Sequence, residues 1–318
     1  MTLPNPSTRW GVLLLAHGAP DTLEDIPEFL LNVRGGRPLP DPVVKEIAHR
    51  YSLIGGGSPL LRLTTLQAEA LAALIAHPVY VGMRNWKPFI SEAVKRLNDE
   101  GVERVVAVCL APQNSRTSIG LYRKYLMDAV GAIHPGLLVD FVESWHDHPG
   151  LIEAFRERAA AAMQLAERET GGPVPVVFTA HSVPERTIAD GDPYQQQVLE
   201  TAVLVAKALD LTRYRVAFQS QGMTNEKWIG PTVESEIDAL AQAGAKELLL
   251  IPVGFVSDHV EILYDIDLLF RDYGKAKGVN VRRSESLNAS PRFASALASL
   301  VNERIAQDLG LTSADSFL

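Results

Sequence analysis

Three segments of this chain recur, in the same order, in its second half, and that repetition restricts the fold more than any composition figure does. LLLAHGAP at 13–20 is echoed by VFTAHSVP at 177–184, each an apolar run closed by Ala-His, two residues and a proline. LNDEGVERVVAVCLAP at 97–112 is echoed by LAQAGAKELLLIPVGF at 240–255, each a helix end, a glycine turn and a strand. VGMRNWKPFISEAV at 81–94 corresponds more loosely to FQSQGMTNEKWIGPTVESEI at 218–237. The pattern predicts two similar α/β lobes, residues 1–150 and 151–318, with the last helix packing back on the first lobe.

Within each lobe, short apolar runs alternate with longer amphipathic stretches. Strands are predicted at 11–16, 79–82, 104–110, 138–144, 174–180, 214–219 and 247–253, and helices at 61–76, 87–100, 151–170, 194–209, 231–243 and 291–309. Such alternation belongs to parallel sheets flanked by helices. Two open parallel sheets facing each other leave a cleft at the carboxyl ends of their strands, where ligands of this architecture sit. The 318 residues give each lobe enough chain to bury a core unaided. With 38 acidic against 30 basic side chains, the net charge of −8 argues against nucleic acid as a partner. Cys109 is the only cysteine, which rules out an intrachain disulfide and a multi-cysteine zinc or iron–sulfur site. No apolar run approaches the ~18–20 residues of a membrane span. The first twenty residues lack the basic head and apolar core of a signal peptide, so the expected compartment is the cytoplasm.

His181 follows a buried-type strand and precedes a turn, so its imidazole is predicted to project into the cleft, and His17 takes the same place in the first lobe. Imidazole there can move a proton near neutral pH or ligate a borderline metal. One strand-end histidine is as readily a structural hydrogen-bonding group; two at matching strand ends turn the reading toward function. A second cluster comprises Ser257, Asp258, His259, Glu261, Asp265 and Asp267. With Ser257 or Asp258 as helix cap, Glu261 and Asp265 lie one turn apart on one face. Carboxylate and imidazole donors suit Fe(II) among several metals, although a capped helix with solvated acids carries the same letters. His259 reads as a second ligand or as a structural bridge.

The run IGGGSPL at 54–60 has successive backbone amides able to cradle an anion, with Ser58 opening a helix; it is not a Walker loop, and no GxGxxG follows the first strand. Near it stand Arg34, Arg37, Arg50 and Tyr51, suited to ligand carboxylates or to ordinary surface charge. The segments 110–122 and 224–231 read as cleft loops. Met83 and Trp228 offer soft or flat contacts to a planar ligand, or belong to the core.

Taken together these residues resemble the ferrochelatase family, whose members insert ferrous iron into a porphyrin. The resemblance runs through GVLLLAHGAP, RYSLIGGGSPL, YVGMRNWKPF, LAPQNS, ESW, FTAHSVPER, GDPY, FQSQG, WIGP, PVGFVSDHVEILYDID and RRSESLN, nearly the whole chain and in the family's order. It implies two Rossmann-like lobes, each a mostly parallel sheet, around a porphyrin cleft. The invariant histidine of the family falls on His181 and its catalytic glutamate on Glu261, with Asp265 beside them toward the metal. Insertion requires two pyrrole protons to leave while the ring is bent to expose its nitrogens. Which of the pair takes protons and which delivers iron is left open. Positions matching Arg34, Arg50, Tyr51, Ser58 and Tyr122 meet the porphyrin carboxylates or border the metal path in the short bacterial form.

The chain departs from that form in two places. His17 stands where the bacillus-like form has a tyrosine able to act as an axial ligand, and Leu269 stands where the acidic ladder normally continues. The 39–51 region has no apolar lip insertion, and no cysteine-rich tail follows, so the resemblance implies no [2Fe–2S] cluster, no redox cofactor, Fe²⁺ as substrate and a monomer. Protoporphyrin IX and coproporphyrin III stay open as the second substrate. The competing readings are a cobalt or nickel chelatase of another tetrapyrrole and a non-catalytic porphyrin or haem carrier.

Overall fold

The computed structural model describes residues 8–222 and 226–310. The first half runs β1 (Trp10–Ala16), α1 (Ile26–Val33), α2 (Asp41–Leu53), α3 (Leu60–Ala72), β2 (Val79–Met83), α4 (Ile90–Asp99), β3 (Arg104–Cys109), α5 (Ile119–Ile133) and β4 (Leu138–Val142). After α6 (Pro149–Thr170) come β5 (Val176–His181), α7 (Glu185–Ala189), α8 (Tyr194–Ala208), β6 (Arg215–Gln219), α9 (Val233–Gln242) and β7 (Glu247–Ile251). The chain continues through α10 (Val260–Leu263), a π-helical segment (Asp265–Phe270), α11 (Arg271–Ala276), β8 (Asn280–Arg283) and α12 (Pro291–Asp308).

Both sheets are four-stranded and parallel, ordered β2-β1-β3-β4 and β6-β5-β7-β8. Under the pairing of β1 with β5 the two orders are identical, so the repeat in the sequence is a repeat in topology. The two Ala-His motifs close the second strand of each sheet. Gly101 and Gly244 make the turns that lead into β3 and β7, with φ of 68° and 84°, the left-handed region that glycine enters without a Cβ clash.

The strands read as continuous apolar runs because both faces of each sheet are covered. Leu13 and Leu15 face a core built with α4 and α5, while Val12 and Leu14 face the opposite way. That second core is shared between the lobes. It joins Val106 and Val108 of β3, Phe155 of α6, Phe178 of β5, Ala202 of α8, Ile251 of β7 and Phe293 and Leu297 of α12. Trp145 stacks on Phe293 at 6.0 Å between centroids and donates from Nε1 to the Cys109 carbonyl at 2.9 Å. Helix α12 starts on a Ser290 cap and ends against the first lobe, where Arg304 Nε donates to Asp140 at 2.8 Å and Arg104 pairs with Asp308.

Several elements differ from the sequence expectation, the short helices α7 and α11 among them. Strand β8 was absent from it, because NVRR turns only Val281 fully inward at the edge of the sheet. Helices α1 and α2 carry too many exposed and proline-flanked positions for a clear period, and α5 begins at Ile119, inside the end of a stretch read as a cleft loop. Part of the other expected loop, residues 224 and 225, lies outside the described residues.

Candidate functional site

Strand β5 ends on His181 itself, whose in-register neighbour on β6 is Gln219. The ring is fixed from below: Nδ1 donates to the Ser182 carbonyl, and Tyr194 donates from its hydroxyl to the His181 carbonyl at 2.9 Å. Nε2 points to Glu261 Oε1 at 3.2 Å. The other carboxylate oxygen lies 3.4 Å from Nε2 of His259, whose Nδ1 is 3.0 Å from the Ser257 carbonyl. His181 and Glu261 side chains are 34% and 31% exposed, so the pair stands on the cleft wall with an open side.

Enclosure in the cleft opposes charge on His181, but the Glu261 carboxylate outweighs it, and the imidazole pKa is raised to about 9. Enclosure likewise opposes charge on Glu261, yet His181 and His259 together hold it well below the usual carboxylate range. The pair is therefore an imidazolium–carboxylate at neutral pH, titrating as a unit. Asp265, buried in the next turn, has its pKa raised to about 6, chiefly by burial, against the hydrogen bond from Ser220.

Glu261 and Asp265 do not share the regular helix face that was expected. Ser257 and Asp258 cap nothing: Ser257 Oγ takes the Gln67 amide at 2.7 Å, and Asp258 is held by Ser286, Asn288 and Arg283. The N-cap position falls on His259, without a side-chain capping bond, and the chain passes through four α-helical residues into the π segment. Asp267 turns away to a two-pronged pairing with Arg283 at 2.8 and 2.9 Å. Among the described residues no three His, Cys, Asp or Glu side chains form a ready-made metal cage. His181 and Glu261 touch, and Asp265 acts on them through space. Burial pushes the Cys109 thiol up, so the sole cysteine is no thiolate ligand.

The facing wall comes from the first lobe. His17 is open to the cleft, its Nδ1 2.9 Å from the Gly18 carbonyl and its Nε2 3.0 Å from Asn85 Nδ2. Asn85 can only donate there, so Nε2 is an acceptor and the ring is neutral. Its pKa is lowered, by enclosure first and by Arg84 second. Glu261 acts electrostatically on both His17 and Tyr51, which places that carboxylate opposite this wall. Arg50 lies over the Tyr264 ring at 5.3 Å and pairs with Glu46 at 3.1 Å. Tyr122 is buried under Arg84, whose guanidinium carbon is 4.9 Å from its ring centroid. Trp228 lies 6.4 Å from His181, centroid to centroid.

Two expectations change on this wall, those for Met83 and for the glycine run. Met83 is fully buried at the end of β2 and presents no surface to a ligand. The Arg34 side chain, exposed at the end of α1, makes no hydrogen bond or ion pair with the other candidates among the described residues. The glycine run is not a free anion cradle: the amides of Gly55, Gly56 and Ser58 donate to the carbonyls of Ser52, Tyr51 and Pro20. Ser58 instead lines a cavity of about 510 Å³ with Asp21, Arg62, Asp258 and Leu263. Arg84, Asn85, Tyr194, Gln219 and Ser220 were not singled out from sequence; the motifs GMRN, GDPY and FQSQ held them, but their roles arise only from contacts across the fold.

The sequence profile described as Ferrochelatase matches residues 9–305. A ferrochelatase of Acidobacterium capsulatum is 48% identical over 307 residues, covering 92% of this chain and 93% of the relative. A coproporphyrin III ferrochelatase of a Geobacillus species is 36% identical over 308 residues, covering 93% and 98%. Among solved structures, SirB from Bacillus subtilis with Fe³⁺ superposes with a TM-score of 0.62 over 95% of this chain and 98% of that one at 14% identity, a likeness of fold alone.

Proposed function

The chain belongs to the ferrochelatase family, and from that premise we propose that His181 and Glu261 divide the work of inserting ferrous iron into a porphyrin held between the two lobes. The activity is porphyrin metallation in haem biosynthesis: two pyrrole N–H bonds break, two protons leave, and iron binds all four ring nitrogens. Iron keeps its oxidation state, so the reading assigns no redox cofactor, and iron is a substrate. One chain supplies both cleft walls, which supports a monomer as the working unit. Among the described residues no helix is long and apolar enough to cross a membrane.

The observation that carries the division of roles is the 3.2 Å imidazolium–carboxylate contact on the open cleft wall. At rest the pair stores one proton. A divalent cation arriving at Glu261 takes over the carboxylate that holds the imidazolium, so the affinity of His181 for its proton falls and that proton leaves to solvent through the open side of the pair. The freed imidazole is then a base of suitable strength beside the ring, and it accepts a pyrrole proton as iron passes from the carboxylate to nitrogen. His259 keeps Glu261 aimed, and Asp265 takes the second proton. The neutral His17 and Trp228 supply uncharged surface against the macrocycle, with Tyr51 buried behind that wall, while Arg50 and Arg84 are placed for its carboxylates. Coproporphyrin III and protoporphyrin IX carry the same core, and the test takes both.

Purified protein mixed anaerobically with Fe²⁺ and either porphyrin is expected to lose the free-base absorption bands, and His181→Ala is expected to leave them. Band shifts on binding with no metal insertion in the wild type would show a carrier in place of an enzyme.

A further inference from the structure

The geometry points to Gln219 and Ser220, the two residues at the carboxyl end of β6, as positioning residues that set the distance between His181 and the acids of the α10–π segment during metal delivery; we propose this on the basis of the function argued above. Three separate contacts meet there. Gln219 is the in-register partner of His181, and its carbonyl accepts from the Ser182 amide at 2.7 Å. Its side-chain Nε2 donates to the backbone carbonyl of Glu261 at 2.7 Å. Ser220 donates from its hydroxyl to Asp265. One strand end thus grips the imidazole strand, the backbone under the first carboxylate and the second carboxylate itself.

Two features separate this from ordinary packing. Gln219 is 1% exposed, and among the described residues its Oε1 has no hydrogen-bond partner, so the bond to Glu261 alone orients the amide. A buried orphan acceptor is retained only where the donor half of the group is needed. Ser220 has φ of 60°, a conformation in which glycine is the ordinary choice, and it keeps a side chain whose hydroxyl reaches Asp265. Immediately beyond Glu261 the helix widens: the amides of both Leu268 and Leu269 reach the Tyr264 carbonyl, at 3.1 and 2.9 Å. A π turn is a weak frame by itself and is characteristic of functional sites. Ser220 holds it from outside at Asp265, Gln219 holds the backbone one turn earlier at Glu261, and Arg283 pairs with Asp267.

The test is steady-state insertion of Zn²⁺ and of anaerobic Fe²⁺ by wild type, Ser220→Gly and Gln219→Leu, with porphyrin affinity measured separately by quenching of tryptophan fluorescence. Glycine accepts the Ser220 backbone conformation, so Ser220→Gly deletes the contact to Asp265 without backbone strain and decides the matter alone if Gln219→Leu is unstable. Residues that orient metal-facing groups typically matter by about 10–100-fold. The metal KM is expected to rise about tenfold or more in each variant, with porphyrin Kd within about twofold of wild type. Unchanged metal KM, or porphyrin Kd rising in step with it, overturns the assignment. An inert wild type sinks instead the functional reading on which it rests.

Discussion

His17 stands one residue beyond β1 and His181 closes β5, each after an alanine and each with Nδ1 turned onto the carbonyl of the following residue. Up to that point the two lobes are one design. The difference lies in what meets Nε2. In the first lobe it is the Asn85 amide, a donor, which fixes a neutral ring; in the second it is the Glu261 carboxylate, an acceptor, which fixes a charged one. Duplicating a fold copies the place of a side chain but not its protonation state, because that state belongs to a neighbour on another element. The first lobe keeps a wall with an uncharged imidazole, and the second becomes a proton store facing it.

The comparison breaks most directly by deletion. His181→Ala and Glu261→Gln are each expected to lower kcat about 100-fold or more, the range for loss of a positioned acid–base group, whereas His17→Ala is expected to lower it less than about tenfold. Equal losses for the two histidines would erase the distinction drawn between the lobes. A transplant sharpens it: Asn85→Asp gives His17 the kind of partner that His181 has, and its pKa is expected to rise toward that of His181, read by ring NMR. A pKa that stays low would mean that Arg84 and enclosure, rather than the Asn85 donor, decide its state.

Smaller effects concern stability. The raised pKa of His181 contributes stability that is fully present below about 6.5 and is lost as pH rises through about 9. The lowered pKa of Glu261 contributes stability present above its ordinary value and lost on acidification. The melting temperature of wild type is therefore expected to exceed that of Glu261→Gln at pH 6 and to converge on it near pH 10, with the gap small because both groups are a third exposed. Smallest is Arg304→Ala on α12, which removes a two-pronged contact to Asp140 at the far side of the shared core. About 1 kcal/mol is expected, seen as a melting temperature lower by a few degrees with kcat unmoved.

The positions of β1 to β7 were legible because both faces of each sheet are buried, which writes long apolar runs into the sequence, and the two-lobe repeat was legible because two of those runs end in the same Ala-His turn. β8 was not, since an edge strand with one inward residue writes almost nothing. His181 and Glu261 were legible as a strand-end imidazole and an acid after the matching strand, strengthened by the family motifs. The neutral state of His17 was not, because Asn85 reaches it from the turn after β2. The glycine run misled for a similar reason: free amides and amides spent inside a turn look alike as letters. The π segment escaped because the i, i+4 spacing of Glu261 and Asp265 reads as a regular helix face.

The central claim is that different neighbours leave one of two equivalent histidines neutral and the other charged, and ring ¹⁵N NMR of the metal-free protein titrated from pH 5 to pH 10 tests it directly. His181 is expected to remain an imidazolium at pH 7.5 and to lose its proton near 9, dropping toward the ordinary histidine range in Glu261→Gln. His17 is expected to be the neutral Nδ1–H tautomer across the range. Two histidines titrating together between pH 6 and 7, unmoved by Glu261→Gln, would contradict the account.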